Sequence, residues 1–313
     1  MKVLSEAQPL GSPAAPVHLA IGVFDGVHLG HVQVIQATRE AAGLQGGLTV
    51  VATFDRHPHR VVDPEHTPPM LYPLWRRLEI INALGVDAVL VFRFDAEFSR
   101  QPAEEFVHRL AQGFRRLASV TVGTGFVFGH RRGGDVALLG RLGAELGFAV
   151  RGVPPCEADG TVVSSTRIRE LVISGALQEA SSLLGRPYSI AGEVLEGDRI
   201  GRQLGFPTAN LDVTGLVLPP GGVYAAEVEV LGQRHAAAVN IGRRPTVQEG
   251  VAPVRVEAHL PGYEGDLYGQ RLELVLGPRL RGEQRFPSRE ALRDQIARDV
   301  EAVRSWAGNK GLP

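Results

Sequence analysis

The sequence has very little cysteine, because Cys156 is the single one among 313 residues. One cysteine excludes an internal disulfide framework and a cysteine-based metal site, and it is typical of a protein kept in a reducing cytoplasm. Long apolar runs are also missing: no stretch approaches the ~18 apolar residues of a membrane helix. The N-terminal segment has no apolar stretch typical of a signal peptide. We therefore expect a cytoplasmic protein without a membrane partner.

A basic excess is absent as well, since 33 Lys and Arg residues face 34 Asp and Glu residues and the formal net charge is -1. Proteins that bind nucleic acids usually carry surplus positive charge, so we expect no nucleic-acid partner. What the chain does have is length and apolar content, with 44% hydrophobic residues and 38 glycines. That is enough for two domains, each with its own core.

Apolar, β-branched runs alternate with helical patterns in the first half of the chain. Each run predicts a strand, and apolar residues three or four apart predict the helices between them. We expect the first helix to end at Gly43. This alternation is typical of a parallel sheet with helices on both faces, whose ligands lie beyond the carboxyl ends of the strands. The predicted strands are residues 17–23, 48–54, 88–94, 118–123 and 148–153.

The loop after the first of these strands, Gly22 to His31, is the centre of the predicted N-terminal site. Its glycines let the backbone approach a ligand, and the helix that begins there offers unpaired N–H groups and the positive end of its dipole to phosphate. His28 and His31 could donate hydrogen bonds to phosphate oxygens whose charge grows in a transition state. A helix cap, a solvated pair and a zinc site are the alternatives, although no HExxH motif or further His/Cys cluster follows.

Two further loops are expected at the same edge of the sheet, residues 55–59 and residues 123–135. The second contains Gly123, Gly125 and Gly129. Their spacing is GxGxxxG, and no helix follows directly. We therefore reject a dinucleotide fingerprint at this position.

The segment Ser164 to Arg169, SSTRIR, opens another helical stretch. Hydroxyls and N–H groups at a helix N-terminus, with Arg169 one turn along, would suit a polyphosphate. The alternative is that serine and threonine merely cap the helix and arginine lies on its surface. This segment alone does not choose between the two.

Beyond residue 186, short alternating runs separated by Gly and Pro predict an antiparallel barrel, followed by a helix whose apolar stripe packs on it. In the stretch Gly197 to Asn210, three glycines free the backbone to surround a phosphate, and Thr208 and Asn210 offer neutral oxygens suited to Mg²⁺. An ordinary connection between strands is the alternative. Glu257 would be a general base if its side chain faces the barrel mouth. If the side chain lies on the outer face of its strand, it would instead be a surface charge that favours solubility.

The motifs also occur in a characteristic order along nearly the whole chain: GVFDGVHLGH, TFDRHP, SSTRIR, LGRPY, GRQLGFPTAN, GGVYAAEVEV, NIGRRPTV, VRVEAHL and RLRGEQRF. In this order the chain resembles the bacterial bifunctional riboflavin kinase and FAD synthetase family. The resemblance implies an α/β plus β fold. Residues 1–186 would form a Rossmann-like nucleotidyltransferase domain with a parallel sheet, the FMN adenylyltransferase. Residues 187–313 would form a six-stranded antiparallel flavokinase barrel with a terminal helix, the riboflavin kinase.

The same resemblance implies two reactions. The barrel would transfer the γ-phosphate of ATP to riboflavin, giving FMN, and the first domain would transfer AMP from ATP to FMN, giving FAD and pyrophosphate. Mg²⁺ would be required, the partners would be the small molecules riboflavin, FMN and ATP, and the chain would be a monomer or a weak homo-oligomer. The alternative is a riboflavin kinase whose N-terminal domain binds nucleotide or flavin without catalysis.

Position by position, the resemblance also assigns roles to residues. The catalytic residues would be His28, His31 and Glu257. The residues matched to ATP or phosphate are Gly22, Phe24, Asp25, Gly26, Gly30, Ser165, Thr166, Arg169, Gly201, Gly205, Pro207 and Thr208. Those matched to the flavin are His57, Pro58, Phe126, Phe128 and Arg281. Those matched to the metal are Thr208 and Asn210.

Gly125 departs from the pattern of the resembled family, which usually has Asp or Asn at this position. Phe126, Phe128 and Gly129 of the same motif are present. We expect the missing side chain to weaken the adenylyl step or its flavin contact, and to leave the kinase half unaffected.

Overall fold

The structure, a computed structural model, describes Met1 to Gly311 except residues 12–14, 159, 198–200, 202–203 and 244–253. Parts of the motifs GRQLGFPTAN and NIGRRPTV therefore lie outside the described residues. The chain divides into two compact units, one made of Met1–Ile168 with Leu183–Gly185 and the other of Arg169–Ser182 with Arg186–Pro313. The domain boundary at residue 186 stays a prediction.

The first unit is built on a parallel sheet, whose described strands run in the order β1-β4-β3-β2-β5-β8. All five predicted strands are present, with ends that differ by up to two residues. The edge strand β1 was not predicted, because three residues are too few to show a period. The strands of the sheet are β1 Lys2–Leu4, β2 Val17–Ile21, β3 Leu48–Phe54, β4 Ala88–Phe92, β5 Leu117–Gly123 and β8 Ala149–Val153. Two short hairpins pair β6 Val127–Phe128 with β7 Gly134–Asp135 and β9 Glu157–Ala158 with β10 Thr161–Val162.

The order of the strands fixes where a ligand can bind. β2 pairs in parallel with β3 on one side and with β5 on the other, so the chain reverses its direction of growth across the sheet at β2. The loops that follow β2 and β5 diverge at such a reversal and leave a crevice at the carboxyl ends of the strands. All five residues of β2 are buried, so only the loop beyond it meets solvent.

The first helix of the chain ends later than predicted. The first helix continues through Gly43, contrary to our prediction, and ends at Gly46, whose φ of 67° and N–H bond to the Ala42 carbonyl form the C-terminal cap. Gly43 is tolerated in the helix, whereas the left-handed cap requires a residue such as glycine. The helices are α1 Leu29–Gln45, α2 His59–Val62, α3 Leu74–Ala83, α4 Ala103–Phe114, α5 Val136–Leu146, α6 Ser165–Ser174 and α7 Leu177–Leu184.

The second unit contains a closed antiparallel barrel, whose described strands run in the order β11-β12-β15-β14-β13-β16. The predicted barrel and its terminal helix are thus confirmed. On the helix, Val303 and Ala307 are buried in one cluster with Ala225 and Ala236. The elements are β11 Ser189–Leu195, β12 Ala209–Leu211, β13 Gly222–Val230, β14 Gln233–Arg243, β15 Val254–His259, β16 Arg271–Arg281 and α8 Arg289–Gly308.

A buried histidine lies inside the sheet of the first unit. His18 on β2 is 0% exposed, and its Nδ1 lies 2.8 Å from the hydroxyl oxygen of Ser119 on β5. Gly47 packs against the opposite edge of the ring, where a Cβ atom would come within 2.7 Å of Nε2. Burial lowers the pKa of His18, because the apolar surroundings disfavour the charged imidazolium.

We predict that His18 makes the first unit less stable in mild acid. The unfolded chain takes up a proton at the ordinary histidine pKa while the native ring stays neutral, so stability falls as the pH drops below about 6.5, by at most about 1.4 kcal/mol per pH unit. Urea unfolding should show the advantage of wild type over His18→Gln shrinking between about pH 7.5 and about pH 5.5. Equal slopes in wild type and His18→Gln would contradict the prediction.

Candidate active sites

The loop between β2 and α1 adopts a backbone that few sequences tolerate. Phe24, Gly26 and Val27 have φ angles of 48°, 81° and 41°, all in the left-handed region. A turn closes within this segment, since the N–H of Val27 donates to the carbonyl of Phe24 at 3.2 Å. Positive φ at a bulky or β-branched residue is strained and is found where surrounding contacts enforce it, often at functional sites.

The two predicted catalytic histidines are brought together at the start of α1. Their rings stack with centroids 3.6 Å apart and planes 18° apart, and Phe24 meets the His31 ring edge-on at 5.2 Å. His28 is the N-cap residue, and its Nδ1 accepts the N–H of His31 at 3.4 Å. A Cβ on Gly30 would lie 3.2 Å from the His28 ring, so only glycine fits easily beneath it. The first-turn N–H groups of α1, which lack intrahelical acceptors, lie beside this pair and suit an anion.

Several residues matched to phosphate brace this loop. The Asp25 side chain is 2% exposed and accepts the N–H of Leu71 at 2.9 Å, and the Asp25 carbonyl accepts the hydroxyl of Ser165 at 2.9 Å. Phe24 is buried, and its ring covers Gly22, where a Cβ would come within 3.1 Å of it. Contact of these four residues with ATP stays a prediction, and their observed bonds shape the loop.

The segment after residue 163 forms a capped helix start, as one of the two sequence interpretations has it, but Arg169 is 8% exposed and does not lie on the surface. Ser164 accepts the N–H of Arg167 with its hydroxyl at 3.2 Å. Ser165 and Arg169 are four residues apart and share one face of α6, whereas Thr166 is exposed. The cap does not exclude phosphate binding, and that role stays a prediction.

The residues matched to the flavin in the first unit lie in the other two loops. Phe126 and Phe128 stack with centroids 5.4 Å apart and planes 15° apart. Phe128 is 9% exposed, so Phe126 offers the larger free surface. His57 accepts the N–H of His59 at 3.2 Å, and Pro58 precedes α2. Gly125 is exposed, and no atom lies within 4 Å of the position a Cβ would take.

In the barrel unit, strand register places Asn210 beside Glu257. Glu257 on β15 pairs with Asn210 on β12 and with Asn240 on β14, so the three side chains share one face. Alternation along β14 puts Asn240 on the same face as Ala238, which packs under α8, so this is the outer face of the barrel. Glu257 therefore lies half-buried on the outer face and not inside the barrel mouth, and its role as a base stays a prediction. Asn240 was missed, although the motif NIGRRPTV contains it, because its neighbour in space is seventeen positions away in sequence.

Glycines of the second unit lie directly against the predicted metal ligands. A Cβ on Gly197 would collide with the amide of Asn210, and one on Gly201 would lie 3.3 Å from the Thr208 hydroxyl oxygen. Gly205 has a φ of 88° and makes the turn that leads to Pro207. The backbone at Gly197 and Gly201 therefore packs directly against the side chains of Asn210 and Thr208.

A cavity of about 420 Å³ adjoins Pro207 and Thr208. Its far wall is the connection from Leu260 to Tyr268. This connection was not among the predicted site segments. Its two tyrosines and its glycines lie between two strands, which is a pattern typical of a binding loop. His259 borders the same region and its Nδ1 lies 2.8 Å from the Pro207 carbonyl; burial lowers the pKa of His259. A cavity of this size suits a small molecule.

Arg281, matched to the flavin, makes an ion pair inside the second unit. Its Nη2 donates to Asp299 on α8 at 2.8 Å and its Nε donates to both carboxylate oxygens at 3.0 Å. The two side chains are 15% and 7% exposed, and Gln295 also donates to Asp299 at 2.9 Å. The guanidinium therefore ties β16 to the terminal helix, and a flavin contact stays a prediction.

Within the described ranges, no group of three or more His, Cys, Asp or Glu side chains is arranged to hold a metal ion. The oxygens of Thr208 and Asn210 are a different donor set: neutral, hard ligands that suit Mg²⁺ when phosphate and water complete its shell. No helix in the described part of the chain has the length and apolar content needed to span a bilayer.

Known proteins resemble both units. The FAD synthetase family matches residues 12–167, and the riboflavin kinase family matches residues 184–307. A bifunctional riboflavin kinase/FMN adenylyltransferase of Escherichia coli strain K12 is 39% identical over 291 residues, which cover 93% of this chain and 92% of the relative. The corresponding protein of Pseudomonas fluorescens is 40% identical over 287 residues, 92% of each chain. A crystal structure of a macrolide-efflux protein from Streptococcus pneumoniae has a TM-score of 0.79 at 28% identity, covering 97% of this chain and 98% of that one.

A parallel α/β unit that matches the FAD synthetase family, followed by a closed barrel that matches the riboflavin kinase family, identifies a transferase. The chain belongs to the family of bifunctional riboflavin kinases and FMN adenylyltransferases. This membership confirms the predicted family, fold class and pair of activities. It favours them over a kinase with a non-catalytic first domain, because both families match.

We predict that Gly26→Ala destabilises the first unit by about 1–3 kcal/mol, since it forces a Cβ into the left-handed region. The added atom would also come within 2.6 Å of Leu71 Cδ1. Gly43→Ala is the matched control, because Gly43 is helical and has no atom within 4 Å of its Cβ position; it should stabilise by about 0.5–1 kcal/mol. Urea unfolding of both variants tests this, and effects of the same sign would show that the loop is not held as described.

Proposed function

We propose that the loop of His28 and His31 transfers AMP to FMN, and that the face carrying Glu257, Asn210 and Thr208 phosphorylates riboflavin. The observation that carries the first assignment is the stacked histidine pair at the N-terminus of α1, beside the point where the strand order reverses. The pairing of Glu257 with Asn210 across the strands supports the second.

In the adenylyl transfer, a phosphate oxygen of FMN attacks the α-phosphorus of ATP, the bond from that phosphorus to the bridging oxygen breaks, and pyrophosphate leaves. The His28 and His31 rings and the first-turn N–H groups of α1 donate hydrogen bonds to the oxygens that gain charge. Thr166 and Arg169 on α6 bind the polyphosphate. The attacking phosphate is already anionic near neutral pH, so no strong base is needed.

The flavin of this reaction is held by the loops after β3 and β5. Phe126 stacks on the ring system with its exposed face, since aromatic rings favour offset stacking. His57 and Pro58 line the neighbouring loop. Gly125 contributes only backbone here, which leaves space beside the flavin.

In the kinase reaction, Glu257 accepts the proton of the ribityl hydroxyl of riboflavin. The oxygen of that hydroxyl attacks the γ-phosphorus of ATP, the bond from that phosphorus to the bridging oxygen breaks, and ADP leaves. The nucleotide lies in the cavity bounded by Pro207 and Thr208, with the glycine backbone at Gly201 and Gly205 against its phosphates. This reaction needs a base, because an alcohol, unlike a phosphate, is protonated near neutral pH.

The residues present fit a magnesium ion, because Thr208 and Asn210 carry neutral side-chain oxygens and the backbone of Gly197 and Gly201 lies close to them. Thr208 and Asn210 would hold it through their side-chain oxygens. When bound, Mg²⁺ neutralises charge on the phosphates of ATP. The same proposal includes a cytoplasmic location and a monomer or weak homo-oligomer.

We predict that substitutions at the two sites separate the reactions. His28→Asn keeps an oxygen able to cap α1 and should lower FAD formation from supplied FMN by about a hundredfold or more, with FMN formation near normal. Glu257→Gln should lower FMN formation by about a hundredfold or more and leave FAD formation from FMN near normal.

Chromatography of riboflavin, FMN and FAD after incubation with ATP and Mg²⁺ measures both reactions of each variant, and circular dichroism checks that each variant is folded. Loss of both reactions in a folded variant would contradict the two-site assignment. Retention of both reactions in His28→Asn would contradict the assignment of adenylyl transfer to the loop of His28 and His31.

We predict that Gly125→Asp raises the kcat/KM of FAD formation for FMN by about two- to tenfold, the range of one added hydrogen bond. The open space at this position and its ordinary φ admit the side chain without strain. Gly140→Asp, at an equally open position on α5, controls for the added charge. An unchanged rate in Gly125→Asp would mean that the family's acidic side chain is dispensable in this chain.

A further inference from the structure

An arginine is buried directly beneath the catalytic loop of the first unit. Arg77 on α3 is 1% exposed, and it is among the largest fully buried side chains of the described residues. Burial lowers the pKa of Arg77, while the charges of Asp25 and Asp55 raise it. Taking a guanidinium out of water is costly unless its N–H groups find acceptors, so the acceptors it finds are informative.

Those acceptors are the ends of two neighbouring strands. Arg77 Nη1 donates to the carbonyl of Val23 at 2.9 Å, and Nη2 donates to the carbonyl of Phe54 at 3.0 Å. Nη1 also lies 3.3 Å from the hydroxyl oxygen of Thr53, which itself donates to Val23 at 2.9 Å. The planar fork therefore spans the points where β2 and β3 pass into their loops.

Val23 is the residue immediately before the strained segment of the loop. Phe24, with φ of 48°, follows it, and the ring of Phe24 packs edge-on against His31. The position of the Val23 carbonyl thus sets where the chain enters the left-handed turn and where the histidine pair begins. Phe54 likewise precedes Asp55 and the loop that contains His57 and Pro58.

We propose that Arg77 is a positioning residue for adenylyl transfer, which fixes the loop of His28 and the loop of His57 at one separation. The inference rests on the proposed function of the first unit. Arg77 does not touch the reacting atoms in this assignment; it acts through the carbonyls of Val23 and Phe54. A misplacement of about 1 Å at reacting groups costs about a hundredfold in rate, so a brace at this point affects catalysis more than substrate binding.

Kinetics of FAD formation from supplied FMN test the role. Arg77→Met, similar in length but without donors, should lower kcat by about tenfold or more with KM for ATP within about threefold. Arg77→Lys, which keeps the charge and one donor, should recover part of the rate. FMN formation from riboflavin by the same samples should match wild type.

Two matched controls separate positioning from stability. Arg76→Met removes the half-buried neighbour on α3, whose Nη1 donates to Glu79, and should retain the wild-type rate. Ile81→Ala opens a cavity at a fully buried position of the same helix and lowers stability without touching the loop. At a temperature where circular dichroism shows each variant folded, Ile81→Ala should remain within about threefold of wild type, because its cavity leaves the Val23 carbonyl in place.

A rate for Arg77→Met near that of wild type, or a loss equal to that of Ile81→Ala at equal stability, would overturn the inference. If Arg77→Met does not fold, Arg77→Lys and Thr53→Val decide: a lower kcat at unchanged melting temperature supports positioning, and wild-type rates overturn it. His28→Asn in the same assay distinguishes failure of the proposed role of Arg77 from failure of the proposed adenylyl-transfer site. Loss in His28→Asn with none in the Arg77 variants refutes only the role of Arg77, whereas retention in His28→Asn refutes the proposed site and this inference together.

Discussion

The backbone between β2 and α1 must join a fully buried strand to a helix whose N-terminus carries His28 and His31, and it does so through left-handed residues at Phe24, Gly26 and Val27. Two of these are not glycine, so each costs of the order of 1 kcal/mol or more that other contacts offset. The contacts that offset it are long-range hydrogen bonds: Leu71 to the Asp25 carboxylate, Ser165 to the Asp25 carbonyl, and Arg77 to Val23. The arrangement of His28 and His31 depends on all three.

In the barrel the corresponding constraint is strand register. Asn210, Glu257 and Asn240 meet because β12, β15 and β14 pair in one alignment. A slip by one residue would move Glu257 to the face where Val256 and Ala258 are now buried, and would expose those apolar residues instead. The apolar alternation that builds the barrel therefore also fixes the orientation of the carboxylate.

Much of this could be predicted from sequence, because strands, helices and glycine turns leave local patterns. The pairing of His28 with His31 follows from a strand, glycines and a helix within eleven residues. The structural contacts of Asp25 and Arg281 could not be predicted. Their hydrogen-bond partners, Leu71 and Asp299, lie 46 and 18 positions away in the sequence, and no local pattern indicates such a pair. The helix end at Gly43 was mistaken for a related reason: glycine permits a left-handed cap, but which of several nearby glycines adopts it depends on the surrounding fold.

The two proposed chemistries make different demands on carboxylates, and the structure treats its carboxylates differently in the two units. An anionic nucleophile needs no proton acceptor, so the first site can use its carboxylates to hold backbone instead. In the first unit, Asp25 accepts the N–H of Leu71 and Asp55 accepts that of Phe94, so these two carboxylates fix the loops in which they lie. An alcohol nucleophile instead needs a proton acceptor, and Glu257 lies across the strands from Asn210 and Asn240. A single chain that attacks ATP once with a phosphate and once with an alcohol therefore needs a carboxylate base in only one of its two sites.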